Sequence, residues 1–253
     1  MRFESVTVRY PGADRNAVDG VSTHVPAGSF TVLLGPSGCG KSTLLRTVNR
    51  LVVPQSGTVY VGEHDVAAQD AVQLRRGIGY VIQAVGLFSH MTVAQNVGVV
   101  PSLLGWDSPR IARRVDELLA LVGLEPQRYR DRYPRQLSGG EQQRVGVARA
   151  IAAQPQVLLM DEPFGAVDAI VRRSLQDEIR RIAGALHATI LFVTHDVEEA
   201  LRLADRIVVM REGRIEQQGT AQDILRAPAT PYVARLFAID PELRRYDALR
   251  GAL

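Results

Sequence analysis

Lysine is almost absent from this sequence. Of the 30 lysine and arginine residues, one is lysine, Lys41, and the other 29 are arginine. The two side chains are not interchangeable, because a compact, flexible ammonium reaches positions that a planar guanidinium cannot. So strong a bias predicts that the single lysine occupies a position where an ammonium is required.

Cysteine and long apolar runs are scarce as well. The single cysteine, Cys39, excludes an internal disulfide, and the amino terminus lacks the basic, apolar and small-residue segments of a signal peptide. The longest apolar stretches, such as residues 97–106, fall far short of the roughly 20 residues needed to cross a bilayer. We therefore expect a cytoplasmic protein that does not itself span a membrane.

The remaining composition is that of an ordinary globular chain. Its 253 residues are 46% hydrophobic and 23% charged, which is enough apolar material for a sizeable core. The net charge of +3 does not indicate a nucleic-acid partner. Arginines alternate with acids, as at 113–117 and 177–181, whereas a nucleic-acid footprint clusters basic residues on one surface.

The lone lysine lies in a phosphate-loop pattern, G-x-x-x-x-G-K-[ST]. An apolar run at 30–34 predicts a buried strand before it, and Leu44, Leu45, Val48 and Leu51 predict one face of a helix that ends before Pro54. Strand, loop and helix are the order that the pattern requires. The residues assigned to the nucleotide are Gly35, Pro36, Ser37, Gly38, Cys39, Gly40, Lys41, Ser42 and Thr43.

The chemistry of this loop follows from its residue types. Glycines let backbone N–H groups turn toward phosphate oxygens, and the helix start adds partial positive charge. Lys41 would reach the terminal phosphates, and the Ser42 hydroxyl would face Mg²⁺. The alternative interpretation is a glycine-rich turn with an exposed lysine.

Two acids follow a second buried strand. The apolar residues 157–160 run directly into Asp161 and Glu162. Asp161 is predicted to hold Mg²⁺ through water, and Glu162 to act as general base toward the attacking water. The alternative is helix capping or a solvated turn; Pro163 follows at once, and a phosphate loop needs such carboxylates.

The segment 137–144 predicts a second anion-binding helix start. Ser138 and Glu141 fit a capping box ahead of a helix that carries Val145, Ala148 and Ile151. Capping does not explain Gly139 and Gly140, which weaken a first helical turn unless something approaches the backbone closely. Because one nucleotide cannot be wrapped by two such sites of one chain, we expect Ser138, Gly139, Gly140 and Glu141 to act on a nucleotide held by another molecule.

These three motifs together resemble the nucleotide-binding subunit of an ABC transporter, and the resemblance covers nearly the whole chain. It implies that Tyr10, at the end of an alternating strand with Val6 and Val8, stacks on adenine, and that Gln83 senses the metal and the permease. It also implies that Asp168 communicates between two sites and that His195 contacts the γ-phosphate.

His195 has a structural alternative. Asp196 and Glu199 offer a capping box for the next helix, which would explain the turn without any catalysis. His195 nevertheless follows the apolar strand at 189–193, and open α/β sheets place ligand-binding groups at the carboxyl ends of strands. The catalytic set is therefore predicted to be Glu162, His195 and Lys41, and the metal set Ser42, Gln83 and Asp161.

The same resemblance implies an α/β fold of the P-loop NTPase, ABC-type class: a mostly parallel sheet with an antiparallel β edge and a helical subdomain. One nucleotide-binding domain is expected over 1–240, with its core at about 1–84 and 155–240, the helical subdomain at about 85–154 and a short tail at 241–253. Ser108-Pro109 predicts a helix start in the insert, and residues 211–214 predict a hairpin turn.

Three stretches are similar to ATPases of osmoprotectant importers, which take up glycine betaine, choline and carnitine. These stretches are residues 79–93, 100–106 and 129–134. This likeness implies ATP and Mg²⁺ as cofactors, a second ATPase subunit, an integral membrane permease and, indirectly, a solute-binding protein. The chain would then lie on the inner face of the cell membrane. An importer of another small solute, such as an amino acid or sulfonate, is the alternative; a non-transport ABC ATPase would need a coiled-coil insertion or tandem cassettes, which the sequence does not show.

Overall fold

The computed structural model describes residues 1–82, 86–164 and 169–238. Within them an antiparallel sheet has the strand order β2-β1-β4-β5, and a six-stranded sheet has the order β10-β9-β3-β8-β7-β6. The strands are β1 (Arg2–Val8), β2 (Val18–His24), β3 (Phe30–Leu34), β4 (Ser56–Val61), β5 (His64–Asp65), β6 (Ile78–Val81), β7 (Val157–Asp161), β8 (Thr189–Thr194), β9 (Arg206–Arg211) and β10 (Arg214–Gly219).

Helices cover both faces of the larger sheet. Four of them, α3 to α6, follow one another between β6 and β7. The helices are α1 (Lys41–Val48), α2 (Ala71–Arg76), α3 (Val93–Leu103), α4 (Ser108–Leu121), α5 (Pro126–Tyr129), α6 (Gly139–Ile151), α7 (Ala169–Leu186), α8 (Val197–Leu203), α9 (Ala221–Arg226) and α10 (Pro231–Leu236), with 3₁₀ turns at Val66–Ala68 and Pro134–Gln136. No helix in the described ranges is long and apolar enough to cross a bilayer.

The larger sheet is parallel except for β10, which pairs antiparallel with β9. Strands β3, β7 and β8 are buried at every position, as expected where helices cover both faces. On β3, Phe30 and Val32 pack into the core on one face and Leu33 into the core on the other. The predicted α/β class with a mostly parallel sheet and an antiparallel edge is confirmed.

Strand register brings the site together. Leu34 of β3 pairs with Thr194 of β8, and Asp161 of β7 pairs with Val193 of the same strand. The carboxyl ends of these three strands therefore lie side by side. Each is followed by a segment singled out in the sequence: the phosphate loop after β3, Glu162 after β7 and His195 after β8.

Several predicted boundaries are confirmed and two are wrong. The helix at Ser108 and the 211–214 hairpin form as expected. Tyr10, however, is not in β1, which ends at Val8, because the chain turns at 11–12. Leu51 is not on the α1 face: Arg50 adopts φ 55°, α1 ends at Val48, and 53% of the Leu51 surface is exposed. The proposed subdomain limits stay a prediction.

Candidate functional site

The phosphate loop folds around its own lysine. Lys41 begins α1 and is 4% exposed. Its Nζ donates hydrogen bonds to the carbonyl oxygens of Gly35 at 2.7 Å and Pro36 at 2.8 Å. The loop carbonyls thus satisfy a buried ammonium, which would otherwise carry a large desolvation cost. The ammonium is held at the concave side of the loop, where a ligand oxygen could replace the two carbonyls.

Two glycines of the loop are required by neighbouring backbone. A Cβ on Gly35 would lie 2.2 Å from the carbonyl oxygen of Met210, and a Cβ on Gly40 would lie 2.1 Å from that of Ala17. Gly40 also adopts φ +106°, which L side chains rarely enter. The loop therefore cannot close as it does with any other residue at these positions. Cys39 is buried beneath it, and burial raises the pKa of its thiol.

Asp161 connects the acid-bearing strand to the phosphate loop. Ser42 Oγ donates a 2.6 Å hydrogen bond to Asp161 Oδ1, and Arg46 Nη2 forms an ion pair with Oδ2 at 2.9 Å. Asp161 is fully buried, so both carboxylate oxygens need such partners. Ser42 and Arg46 lie one turn apart on α1, which places them on one helix face. Sequence reasoning missed Arg46, because its partner Asp161 lies 115 residues away in the chain.

A tyrosine of the neighbouring strand lies beside this arrangement. Tyr80 of β6 is near enough to Arg46 and Asp161 for both to affect the pKa of its phenol. Burial raises the pKa of the Tyr80 phenol, Arg46 lowers it, and the Asp161 charge raises it. The phenol consequently stays protonated at neutral pH. Strand β6 thereby borders the same carboxylate as α1.

Glu162 lies beyond the end of β7 in an unusual backbone conformation. Its φ is 46°, in the left-handed region that non-glycine residues seldom adopt. Its backbone N–H donates to the carbonyl oxygen of Val193 at 3.1 Å. The carboxylate Oε2 lies 3.4 Å from Nδ1 of His195, with 19% of the Glu162 side chain and 60% of the His195 side chain exposed. The structure therefore brings these two residues together at a surface open to solvent.

Tyr10 lies at the other end of the loop. Its hydroxyl is 3.2 Å from Thr43 Oγ1, and 44% of its surface is exposed. The ring borders an open cavity of about 510 Å³ together with the 9–14 segment and Gln55. An exposed aromatic ring next to a phosphate loop offers a face on which a nucleobase can stack.

The predicted capping box at the start of α6 is confirmed. Ser138 Oγ accepts from the Glu141 N–H, and Glu141 Oε2 accepts from the Ser138 N–H at 2.7 Å. Tyr129 adds a 2.6 Å hydrogen bond to Glu141 Oε1. This phenol, followed by the Ser138 backbone N–H, lowers the pKa of Glu141 to about 2. Sequence reasoning did not anticipate Tyr129, which lies 12 residues earlier on a separate helix.

The two glycines of α6 have open space around them. A Cβ on Gly139 or Gly140 would meet nothing within 4 Å among the described atoms of this chain. Side-chain hydrogen bonds of Ser138 and Glu141 run to each other and to Tyr129, and none in the described ranges reaches the phosphate loop. The fold of one protomer therefore gives no reason for glycine at 139 and 140.

Two predicted site residues cannot be compared with the structure. Gln83 and Asp168 lie outside the described residues. Over the ranges that are described, no group of three or more histidine, cysteine, aspartate or glutamate side chains is arranged to hold a metal ion. A metal at this site would accordingly need hydroxyl, water and phosphate oxygens besides Asp161. Such hard oxygen donors suit Mg²⁺, which usually keeps several waters and binds through one or two carboxylates and substrate phosphates.

Comparisons with known proteins show what this chain is similar to. The sequence model of the family described as "ABC transporter" matches residues 18–165. The chain is 47% identical over 256 residues to the choline transport ATP-binding protein OpuBA of Bacillus subtilis, covering 98% of this chain and 67% of that protein. It is 51% identical over 223 residues to the glycine betaine uptake system ATP-binding protein YehX of Escherichia coli, covering 88% and 72%.

Two further comparisons mark the range of similarity. The chain is 49% identical over 221 residues to the sulfate/thiosulfate import ATP-binding protein CysA of Vibrio vulnificus, covering 86% of this chain and 63% of that protein. A solved dimeric ATP-binding cassette, MJ0796 in a post-hydrolysis state with ADP and Pi, superimposes with a TM-score of 0.80 at 30% identity, covering 87% of this chain and 97% of that one. The chain spans roughly two thirds of the length of several curated relatives.

Proposed function

The chain belongs to the ABC transporter family, and on that premise we propose that it is the ATP-hydrolysing subunit of an importer. One observation carries the proposal. Ser42, adjacent to the lone lysine, hydrogen-bonds Asp161 at 2.6 Å, so the phosphate loop and the acid-bearing strand meet at one point. Glu162 follows directly and faces His195. Loop, metal carboxylate, base and histidine are the parts that phosphoryl transfer to water requires.

Binding begins at the loop. The backbone N–H groups of residues 35–43 and the start of α1 surround the phosphates, and Lys41 exchanges its two carbonyl partners for phosphate oxygens. Tyr10 stacks on the adenine at the open cavity beside Thr43. The nucleotide therefore lies along α1 and the 9–14 segment, with its terminal phosphate toward Asp161 and Glu162.

Magnesium is the cofactor that this donor set fits. Ser42 Oγ and Asp161 would hold it, with Gln83 as a further residue of the set, and it would neutralise phosphate charge during transfer. Arg46 pairs with the Asp161 oxygen that Ser42 leaves free, and so fixes the orientation of the carboxylate. The chain thus supplies a preset carboxylate, which is what positions a metal without reorganisation.

Glu162 acts as general base. Its carboxylate accepts a proton from the attacking water while His195 hydrogen-bonds the γ-phosphate. The 3.4 Å separation of Glu162 Oε2 and His195 Nδ1 places both groups within reach of one water molecule. Glu162 and His195 therefore define the position of the reacting phosphorus.

A second subunit completes the site. The start of α6, with Ser138 as N-cap, is a helix terminus with the partial positive charge that favours an anion. Gly139 and Gly140 leave its backbone open, which suits close approach of a phosphate held by another copy or a paralogue. Asp168 connects the two sites. Closure on two nucleotides and reopening after hydrolysis form the working cycle.

The permease and the membrane lie on the side of the helical segment. We assign the permease contact to the helical segment at about 85–154, because the stretches that resemble importer ATPases, residues 79–93, 100–106 and 129–134, lie in it or at its edge. The chain attaches to the inner face of the cell membrane through that permease, which receives its solute from a binding protein.

The solute is an osmoprotectant quaternary amine. The named choline and glycine betaine relatives support this class, and the match to the choline protein covers 98% of the chain. A sulfate/thiosulfate relative at 49% identity over 86% of the chain is the observation that favours another small solute as the second candidate. Solute never contacts this subunit, so the identity of the permease decides between them.

Reconstitution tests both levels of the proposal. The chain is combined in liposomes with the permease and binding protein encoded beside it, and Mg²⁺-dependent ATP hydrolysis is measured with glycine betaine, choline, carnitine or sulfate. We expect stimulation by a quaternary amine and not by sulfate. Stimulation by sulfate alone would reassign the solute, whereas absence of hydrolysis with every solute would reject the ATPase function.

A further inference from the structure

Glu199 is a buried carboxylate that the proposed reaction leaves unused. It lies on α8 and is 7% exposed, and buried carboxylates are rare unless partners satisfy them. Its Oε2 accepts a 2.6 Å hydrogen bond from Thr194 Oγ1, and its Oε1 accepts a 3.1 Å bond from Gln176 Nε2. Both partners are buried as well. Three elements, β8, α7 and α8, therefore meet at this one side chain.

The Thr194 hydroxyl holds the backbone on both sides of His195. It donates its proton to Glu199 and accepts a 3.0 Å hydrogen bond from the backbone N–H of Asp196. A hydroxyl has one proton, so this pair of bonds fixes its direction. His195 is the residue enclosed between the two bonded positions. The backbone position of His195 thus depends on a hydroxyl that Glu199 anchors.

This arrangement corrects the capping box expected at Asp196 and Glu199. Asp196 caps α8 as predicted, with Oδ1 accepting from the N–H groups of Glu198 and Glu199. The Glu199 side chain, however, does not return to the Asp196 N–H, because that N–H already donates to Thr194. Glu199 turns instead into the core toward Thr194 and Gln176. Helix capping consequently does not account for a carboxylate at this position.

Gln176 extends the network to α7. This helix begins at Ala169, the residue after Asp168, which is the predicted link between two nucleotide sites. Gln176 is two turns along α7 and 3% exposed. A contact between Gln176 and Glu199 therefore joins the helix behind the 165–168 segment to the turn that carries His195.

We propose that Glu199 is a positioning residue for hydrolysis: through Thr194 it sets the imidazole of His195 at the γ-phosphate, and through Gln176 it couples that imidazole to α7. The inference rests on the proposed function, since it takes His195 to act on the γ-phosphate. Its physical basis is the rigidity of a buried, fully bonded polar network, in which each member limits the positions open to the next.

The charges around Glu199 make the network sensitive to loss of a partner. Burial raises the pKa of Glu199; the Thr194 bond lowers it, Asp196 raises it, and Arg172 and Gln176 lower it. Removing the Thr194 hydroxyl deletes one of the stabilising partners of a buried carboxylate and leaves the Asp196 N–H without its acceptor. The turn around His195 then loses the bonds that define it.

Thr194→Val is the direct test, because valine has the same shape and lacks the hydroxyl. We expect kcat for ATP to fall about 10- to 100-fold, the scale of a misplaced catalytic group, while the affinity for a fluorescent ATP analogue stays within about twofold. Thr194→Ser keeps the hydroxyl and should restore most of kcat. A purely structural role would lower nucleotide affinity along with turnover.

A second readout follows His195 itself. With ¹³C-labelled histidine, the imidazole signal that His195→Ala removes should shift in Thr194→Val and in Glu199→Ala, while the signal of His64 on β5 stays in place. Thermal unfolding is recorded for every variant. If Glu199→Ala does not fold, Thr194→Val and Thr194→Ser still decide the question.

The matched control breaks an exposed contact between the same two helices. Arg202 of α8 bonds Asp177 of α7 at 2.8 Å on the surface, and Asp177→Ala should leave kcat unchanged. The positioning role would be overturned if Thr194→Val kept wild-type turnover and its His195 signal did not shift. If His195→Ala hydrolyses ATP at the wild-type rate, the role of His195 in the proposed function is rejected instead. The two failures can therefore be told apart.

Discussion

At the scale of single residues, one of the left-handed non-glycine residues, Glu162, lies where the chemistry is proposed. Glu162 holds φ 46° at the end of a fully buried strand, and such conformations cost on the order of 1–3 kcal/mol for a non-glycine residue. The N–H of Glu162 bonds Val193, so the neighbouring strand maintains the conformation. The carboxylate of this strained glutamate lies 3.4 Å from His195.

Glu162→Gln should retain ATP binding and lose at least roughly 100-fold in turnover, the usual scale of a lost general base. The amide keeps the size of the side chain and cannot accept a proton from water. Steady-state hydrolysis and a fluorescent ATP titration give the two quantities. Glu212→Gln is the control, since Glu212 has the same left-handed backbone in an exposed turn. Near-normal hydrolysis by Glu162→Gln would remove Glu162 from this role.

Lys41→Arg should abolish high-affinity nucleotide binding although the charge is kept. Lys41 is 4% exposed and its Nζ fits between two loop carbonyls at 2.7 and 2.8 Å, a space that a planar guanidinium cannot share. Titration with a fluorescent ATP analogue measures the loss, and Arg226→Lys on the exposed α9 serves as the converse control. Unchanged affinity in Lys41→Arg would show that the loop does not need an ammonium.

Individual elements differ in how far their sequence defines them. The buried strands β3, β7 and β8 and the capped α6 could be predicted, because apolar runs and caps are local signals. Long-range contacts could not be predicted, since each joins residues 12 or more positions apart in the chain. They are the contacts of Arg46 with Asp161, Tyr129 with Glu141 and Gln176 with Glu199. Tyr10 and Leu51 were misplaced because a tight turn and a left-handed Arg50 end their elements early.

The α5 to α6 contact makes stability depend on pH. Tyr129 and Ser138 lower the pKa of Glu141 from 4.5 to about 2. The stabilisation is therefore complete above pH ~4.5 and is lost as the pH falls toward ~2. Tyr129→Phe should cost about 1 kcal/mol in the free energy of unfolding at pH 7, the usual net value of such a hydrogen bond, and the difference from wild type should shrink below pH ~4.5.

Urea unfolding of both proteins between neutral and acidic pH measures this difference. Tyr60→Phe is the control, because the Tyr60 ring packs beneath Arg2 and should show no pH-dependent change. A Tyr129→Phe deficit that stays constant down to the acidic limit of the folded protein would contradict the assignment of the Glu141 shift to Tyr129.

At the scale of the whole molecule, we propose that one protomer holds only part of the site. Ser138 caps the start of α6, and the space around Gly139 and Gly140 is open. Nothing in the described part of the chain requires glycine at these two positions. A solved neighbour with a TM-score of 0.80 is described as a dimer. We propose that a second subunit covers the start of α6.

Gly140→Asp should separate folding from assembly. An aspartate in the first turn of α6 is favoured by the helix dipole and meets nothing within 4 Å at Cβ, so the protomer should unfold at a similar urea concentration. Its negative charge would face the triphosphate of a second copy and prevent ATP-driven association. Light scattering in the presence of ATP measures the molar mass of Glu162→Gln with and without Gly140→Asp. We expect a mass above that of the 27.7 kDa chain only when Gly140 is intact. Equal association of both proteins would place the α6 start outside the interface.

The convergence of Lys41 and the two acids on one triphosphate is tested most directly by a crystal structure of Glu162→Gln with ATP and Mg²⁺. We expect the γ-phosphate between Lys41 Nζ and residue 162, the metal at Ser42 Oγ, and Ser138 of a second subunit over the same phosphate. The account would be contradicted if the nucleotide bound elsewhere and Lys41 Nζ still donated to the carbonyl oxygens of Gly35 and Pro36.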